Sequence, residues 1–101
     1  MTRDEILNMP AGHEMDVLIA EQFTNFKHYD GRWWWQEGFL DELPDYSTDI
    51  GDAWKVVEKF DNHCMLNNVH GVWECYLPNG EGKSESAPLA ICRAALLAVM
   101  K

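Results

Sequence analysis

The C-terminal stretch, residues 86–101, constrains the fold of this chain more than any other feature. It reads SAPLAICRAALLAVMK, and after Pro88 its only charged residue before the terminal lysine is Arg93. Ser86 can cap a helix N-terminus, and a proline in the first turn is tolerated there. A helix that is apolar on nearly all sides must be covered on most of them. We therefore predict a C-terminal helix at the centre of the hydrophobic core.

Two helices are predicted near the N-terminus. Thr2 and Glu5 fit the capping box, in which a hydroxyl and a carboxylate each satisfy a free backbone amide at a helix start. Apolar residues at helical spacing predict a second helix over residues 11–24. In that helix we expect the acidic residues, Asp16 among them, to face solvent.

A further helix is predicted to begin near residue 48. Either Ser47 or Thr48 can cap it, and Asp49 adds negative charge at the positive end of the helix dipole. The apolar residues at helical spacing are Ile50, Ala53, Trp54, Val57 and Phe60. They predict one buried face, typical of a helix that lies on a sheet.

The remaining segments predict short strands. Residues 32–39 indicate one aromatic strand, and residues 63–66 and 72–77 indicate a hairpin joined by the turn 67–71. Residues 81–85 predict a polar edge strand. The predicted order is α-α-β-α-β-β-(β)-α. It indicates a single α+β domain, residues 1–101, in which helices pack on a small antiparallel sheet.

The charge balance excludes some partners. Eight Lys and Arg face 17 Asp and Glu, which makes the formal net charge −9. Such a surface repels nucleic-acid phosphates and anionic lipid headgroups and favours a basic partner. Alternatively, the acidity serves only solubility. Because the sequence has no apolar run of 18 residues and no secretion signal, we expect a cytoplasmic protein.

The cysteines and histidines do not form a recognisable metal motif. The spacing Cys64-x5-His70-x4-Cys75 lacks the close ligand pair that zinc sites normally place on one tight turn. In the hairpin, Cys75 shares a face with Trp73 and Leu77, whereas Glu74 lies on the wetter face. We therefore predict free, buried thiols and no metal or cofactor.

Catalytic signatures are also absent from the sequence. Ser47 is not part of a nucleophile elbow, and the segment GEGKSES lacks the spacing of a phosphate-binding loop. The many close carboxylate pairs arise by chance in a chain this acidic. A Cys64–His70 pair is the one nucleophile arrangement that can be drawn. We predict that the protein is not an enzyme.

Three consecutive tryptophans, Trp33 to Trp35, stand out in the aromatic segment. Strand alternation sends Trp33 and Trp35 to one face and Trp34 to the other. One interpretation places one face in the core and the other under a helix. The alternative is partner recognition, because Trp, Tyr and Arg are enriched at interface hot spots. The residues predicted to bind a partner are Trp34, Arg32 and Tyr29, with the acidic loop residues Asp41, Glu42 and Asp45.

Three segments resemble one known family. YSTDIGDAWKVVEKF at residues 46–60, ESAPLAICRAALLAVMK at 85–101 and the opening MTRDEILNMPAGHEMDVLIAEQ are similar to the phage ABA sandwich domain. The resemblance implies an α-β-α sandwich encoded by a phage or prophage, and it implies no activity and no catalytic residue. Longer members differ from this chain at about residues 26–44, so the resemblance does not explain the tryptophans.

Three functional hypotheses remain open on the sequence. The leading one is a binding protein that docks on a basic host or defence protein as an inhibitor or counter-defence factor. The second is a small-ligand domain that stacks a nucleotide-like molecule on Trp33 to Trp35. The third, an enzyme, depends only on the Cys–His cluster. A homo-oligomer is compatible with all three, because Trp34 and the apolar faces of the last helix could form a two-fold interface.

Overall fold

In the part of the chain that the structure describes, the fold contains four α-helices and two small sheets. The computed structural model describes residues 2–24, 27–29, 32–35, 38–40, 43–61 and 63–99, and within the first three strands it describes only the side chains of Arg32 and Trp33. The helices are α1 (Arg3–Asn8), α2 (His13–Phe23), α3 (Ile50–Val57), which continues into a 3-10 turn (Glu58–Phe60), and α4 (Ala87–Val99). The strands are β1 (Lys27–Tyr29), β2 (Arg32–Trp35), β3 (Gly38–Leu40), β4 (Met65–Val69), β5 (Val72–Leu77) and β6 (Gly80–Ser84).

Helix α4 forms the centre of the core, as its composition predicts. Its buried residues run from Leu89 to Leu97, interrupted only by the half-buried Arg93. It contacts β5 and β6 as well as the other three helices. The α+β prediction, with helices packed on a small antiparallel sheet, is thereby confirmed. Neighbouring elements cover these apolar residues. The homo-oligomer that the sequence suggested stays a prediction.

Helix starts follow the predicted chemistry at α1 but not at α3. The Thr2 hydroxyl accepts from the Glu5 amide at 3.2 Å, and the Glu5 carboxylate accepts from the Thr2 amide at 3.3 Å. This confirms the capping box. At α3 the cap is Asp49, whose carboxylate accepts from the Asp52 amide at 3.0 Å, so the prediction of Ser47 or Thr48 is wrong.

The buried face of α3 is rotated from the predicted one. Ala53, Val56 and Val57 are buried, whereas Ile50 and Trp54 are 48% and 40% exposed. The reason is that α3 packs on another helix, α4, and the narrower face of Ala53, Val56 and Val57 suits that contact. The prediction of a helix lying on a sheet with Trp54 inside is therefore wrong.

The aromatic segment forms a separate three-stranded sheet. Strands β1, β2 and β3 pair in chain order and antiparallel, with Trp33 opposite His28 and Leu40. The single strand predicted for residues 32–39 is divided, since β2 ends at Trp35 and β3 begins at Gly38. Two shorter strands that pair with each other satisfy backbone groups that one longer strand would leave open.

The second sheet is a meander of β4, β5 and β6. Its first connection is tighter than predicted, since Val69 pairs with Val72 and only two residues form the turn. Those residues, His70 and Gly71, have φ of 53° and 85°, as a type I′ hairpin turn requires. Cys75 and Leu77 are buried against α4 and Glu74 lies on the outer face, which confirms the predicted faces.

Strand β6 meets α4 through glycines. A methyl carbon built on Gly82 would overlap the Ala90 carbonyl oxygen and lie 2.5 Å from the Ala94 amide nitrogen. One on Gly80 would likewise overlap the Ala94 carbonyl oxygen. The strand and the helix therefore touch backbone to backbone. In the described part of the chain, no helix combines the length and apolarity needed to cross a bilayer.

Candidate functional site

A cavity of about 390 Å³ opens between the start of α2, strand β2 and the loop that precedes α3. Its lining residues are Gly12, His13, Asp16, Trp33, Leu43, Asp45 and Thr48. They come from three segments that are far apart in the sequence. This cavity is a candidate functional site.

A buried serine–carboxylate pair holds one wall of the cavity. Ser47 is fully buried, and its amide and hydroxyl donate to one Asp16 oxygen at 2.8 and 2.7 Å. The Gly12 amide, just before α2, donates to the Ser47 hydroxyl at 2.9 Å. Asp16 lies in the first turn of α2, where the helix dipole stabilises a negative charge. The expectation that Asp16 faces solvent is wrong, because it is only 6% exposed.

The loop before α3 presents Asp45 at the cavity. The Asp45 amide donates to the Asp52 carboxylate at 2.9 Å, and its carbonyl accepts from the Asp49 amide at 2.8 Å. These bonds fix the backbone on both sides of the residue while its side chain is exposed. Asp45 therefore presents a carboxylate to the opening on a well-defined backbone.

Trp33 forms an aromatic wall of the cavity. It is 6% exposed and belongs to the hydrophobic core cluster. For Trp33, this burial agrees with the interpretation that one face of the tryptophan strand belongs to the core. The cavity thus combines one indole with the carboxylates of Asp16 and Asp45, and its described lining contains neither Lys nor Arg. This environment favours a cationic or aromatic guest.

The Tyr46 phenol and the Cys92 thiol, two buried groups close to Asp16, stay protonated at neutral pH. Burial, with the nearby carboxylates of Asp52 and Asp16, raises the pKa of Tyr46 to about 12. Burial, and secondarily the Asp16 charge, also raises the pKa of Cys92, whose thiol donates to the Tyr46 carbonyl at 3.2 Å. Ser47 is equally unsuited to attack a substrate, because it is buried and its hydroxyl is hydrogen-bonded to Asp16 and to the backbone of Gly12.

The residues predicted to bind a partner are only partly placed by the structure. Asp45 lines the cavity, and the exposed Arg32 precedes Trp33 on β2. Tyr29 pairs with Arg32 in the register, and Trp34 with Lys27 and Phe39, but the structure describes only the backbone of Tyr29 and Trp34. Asp41 and Glu42 lie outside the described residues.

Five contributors to the cavity were missed by sequence reasoning: Gly12, His13, Asp16, Leu43 and Thr48. A signal existed only for Gly12 and Asp16. A glycine just before a helix, followed by an aspartate in the first turn, marks a helix start able to hold a buried carboxylate. The sequence carries no signal that Ser47, 31 residues later, would meet it.

The cysteine–histidine arrangements do not assemble as catalytic or metal sites. Cys64 precedes β4 and His70 follows it, so the strand separates them by about 20 Å at its usual rise. The Cys64–His70 pair is therefore excluded as a nucleophile and base. Among the residues that the structure describes, no group of three or more His, Cys, Asp or Glu is placed to hold a metal ion.

Comparison with known proteins gives a family model and a similar solved structure. The family model described as the phage ABA sandwich domain matches residues 17–96. A crystal structure of a phage protein from Bacillus cereus ATCC 14579 is similar to this chain, with a TM-score of 0.70 and 27% sequence identity. The similarity covers 91% of this chain and 95% of that one. No curated protein matches the sequence significantly.

Proposed function

Because the chain belongs to the phage ABA sandwich domain family, we propose that it is a small phage or prophage binding protein without catalysis. In this proposal it acts in the cytoplasm of the bacterial host and docks on a basic surface of a host or defence protein. Docking would inhibit that protein, as a host-takeover or counter-defence factor does. The single observation that carries the proposal is the cavity beside Trp33 and Asp45.

The chemistry of the cavity suits a basic side chain of the partner. A guanidinium or ammonium group gains from an indole face and from a carboxylate held at the opening. Asp45 supplies such a carboxylate, and Trp33 supplies the ring. Interface energies concentrate where an anchor side chain fills a pocket. We therefore assign the cavity as the receptor for an Arg or Lys of the partner. Arg32, Tyr29, Trp34, Asp41 and Glu42 stay predicted partner-binding residues in this proposal.

The net charge of −9 supports the same kind of partner. An acidic surface accelerates association with a basic protein and disfavours nucleic acid and anionic membranes. The proposal that the protein is not a catalyst is supported by the burial and protonation of its candidate nucleophiles. Ser47 is buried and bonded to Asp16, and burial keeps the Cys75 and Cys92 thiols protonated.

The test is a pull-down from host lysate with a charge-reversed pair of variants. Asp45→Lys places a cation at the cavity, whereas Glu58→Lys makes the same charge change on the exposed turn at the far end of α3. We expect the wild type and Glu58→Lys to retain the same partner, identified by mass spectrometry as a protein with a basic surface. Asp45→Lys should lose at least tenfold in affinity.

Two outcomes of the pull-down contradict the proposal. One is that no partner survives at either low or moderate salt. The other is that Asp45→Lys retains the partner as well as Glu58→Lys does, which would place the contact elsewhere. Circular dichroism of both variants confirms that the fold is unchanged before the affinities are compared.

The second candidate function, binding of a small ligand, is favoured by the size of the cavity. Its volume of about 390 Å³ lies in the range of small-molecule sites, roughly 300–1,000 Å³. Trp33 could stack a base, although Asp16 and Asp45 would repel phosphates. A nucleotide panel that quenches tryptophan fluorescence in the wild type, and less in Trp33→Phe, would favour this function over protein docking.

A further inference from the structure

Two thiols of the second sheet lie within reach of each other. Cys64 comes just before β4, Cys75 lies in the middle of β5, and their sulfur atoms are 3.7 Å apart. Both belong to the inner face of the sheet, since Leu66 pairs with Cys75 and Cys64 shares the parity of Leu66. All three cysteines of the chain are free. Cys64 and Cys75 are therefore two free thiols in direct contact.

The two thiols differ in accessibility. Cys64 is partly exposed, whereas Cys75 is fully buried. Burial, with the neighbouring Cys64 as a secondary cause, raises the pKa of the Cys75 thiol, which therefore stays protonated. An oxidant from solution thus reaches Cys64 first and finds Cys75 directly behind it. This is the arrangement of an attacked cysteine and a resolving cysteine.

We propose that Cys64 and Cys75 form an oxidation site that a peroxide closes reversibly into a disulfide. The Cys64 thiolate attacks one oxygen of hydrogen peroxide, the O–O bond breaks, and the products are a sulfenic acid and hydroxide. That hydroxide takes the proton from the Cys75 thiol and becomes water, and the Cys75 thiolate attacks the Cys64 sulfur. The S–O bond breaks, and the hydroxide that leaves takes up the proton that the Cys64 thiol lost at the start. In total, two thiols and one peroxide give one disulfide and two waters.

Closure requires a movement of the chain. A disulfide needs a sulfur separation of about 2 Å, so the two atoms must approach by somewhat under 2 Å. Cys75 is held on both sides, since it pairs with Leu66 and Gly82. The β4–β5 ladder begins at Met65, so Cys64 lies just outside it. The movement therefore falls on Cys64 and the segment before it.

Closure would tie the segment after the 3-10 turn to the central strand of the sheet. The cross-link encloses the hairpin between Cys64 and Cys75 and restricts the unfolded chain, which stabilises the folded state. The oxidised protein is thus expected to unfold at a higher temperature than the reduced one. This site is independent of the cavity and of the function proposed for it.

The experiment is peroxide treatment of the purified protein, followed by intact-mass measurement and thiol counting. We expect the mass to fall by two hydrogen atoms and the free thiols to fall from three to one. A reducing dithiol should restore both values and reverse the rise in the unfolding temperature. Digestion without reductant should yield one peptide pair, linked through Cys64 and Cys75.

Matched cysteine variants test whether the disulfide forms between Cys64 and Cys75. Cys92→Ser keeps a donor to the Tyr46 carbonyl and should behave as the wild type, whereas Cys64→Ser, at a partly exposed position, should show no loss of hydrogen. The proposal is overturned if the wild type gains only oxygen atoms at Cys64. It is equally overturned if the disulfide forms between two chains, or if Cys64→Ser still loses two hydrogens.

Discussion

Ser47 is fully buried, and its amide and hydroxyl both donate to one oxygen of Asp16, at 2.8 and 2.7 Å. Hydrogen bonds to a charged acceptor are stronger than neutral ones, and a buried donor left without its acceptor is costly. The pair also joins the start of α2 to the loop before α3, which are two of the three segments that enclose the cavity. At the residue scale, this contact sets the shape of the candidate site.

Replacing Asp16 by alanine should lower the free energy of unfolding by about 2–3 kcal/mol, because two buried donors of Ser47 lose their acceptor. Urea unfolding measures the change. Glu14→Ala is the control, since Glu14 lies in the same first turn but is exposed, and it should change stability by only about 0.5 kcal/mol. Ser47→Ala combined with Asp16→Ala should be non-additive. Equal effects at Asp16 and Glu14 would contradict the structural role assigned to the pair.

At the scale of elements, the contact between β6 and α4 determines how closely the sheet approaches the core helix. Gly80 and Gly82 face Ala90, Ala94 and Ala98, and their missing side chains let the two backbones touch. The opposite face of β6 is different, since Lys83 forms an ion pair with Glu74 across the strands at 3.4 Å. The face of β6 toward α4 therefore has no room for side chains, whereas its solvent-facing side tolerates substitution.

Gly82→Ala should destabilise the protein by about 3 kcal/mol, because the added methyl group overlaps helix backbone that cannot move without separating β6 from α4. Thermal or urea denaturation followed by circular dichroism would measure it. Glu81→Ala changes the neighbouring, exposed position of the same strand and should cost only about 0.5 kcal/mol. A Gly82→Ala variant as stable as Glu81→Ala would show that the helix and the sheet are not in backbone contact.

At the scale of the whole molecule, one cation ties several elements together in an otherwise acidic protein. The Arg93 guanidinium donates to the carbonyls of Lys83 in β6 and of Met9 between α1 and α2, at 2.7 and 3.0 Å. Arg93 is also the one charged residue within the apolar helix α4. Around this framework the formal net charge is −9, so self-repulsion acts against the compact state.

Added salt should therefore stabilise the whole molecule. The screening length falls from about 30 Å at 0.01 M salt to about 3 Å at 1 M, and the radius of gyration, 13.2 Å, lies between these lengths. We expect the unfolding temperature to rise by roughly 4–8 °C, equivalent to about 1 kcal/mol, between low and high sodium chloride. Calorimetry would measure it. Glu58→Lys brings the net charge two units nearer to zero, so its unfolding temperature should rise less with salt. If the unfolding temperature of this variant rose as much as that of the wild type, charge repulsion would not be the cause.

Local features were predictable because each depends on residues close together in the sequence. The capping box at Thr2 and Glu5, the apolar helix α4 and the two faces of β5 all follow from spacing within a few residues. The structure confirms each of them. The α+β class follows as well, since these elements have few ways to cover one wholly apolar helix.

Predictions failed where a distant segment decided the environment. Ser47 looked like a helix cap and Asp16 like a solvent-facing acid, yet the two are buried together across 31 residues. Trp54 and Ile50 fit the apolar stripe of α3, but packing on α4 selected a neighbouring face. For the tryptophans, alternation separated Trp33 from Trp34, but only the tertiary structure placed Trp33 in the wall of a cavity.

The sequence by itself determined the helices, the hairpin, the acidic character and the family of this protein, because periodicity, capping and composition act over short range. Tertiary structure alone decided the cavity, the buried Asp16–Ser47 pair and the approach of Cys64 to Cys75. The physical reason is that burial and contact across sheets and loops are properties of the packed chain. No spacing within a single segment encodes which side chains that packing will bring together.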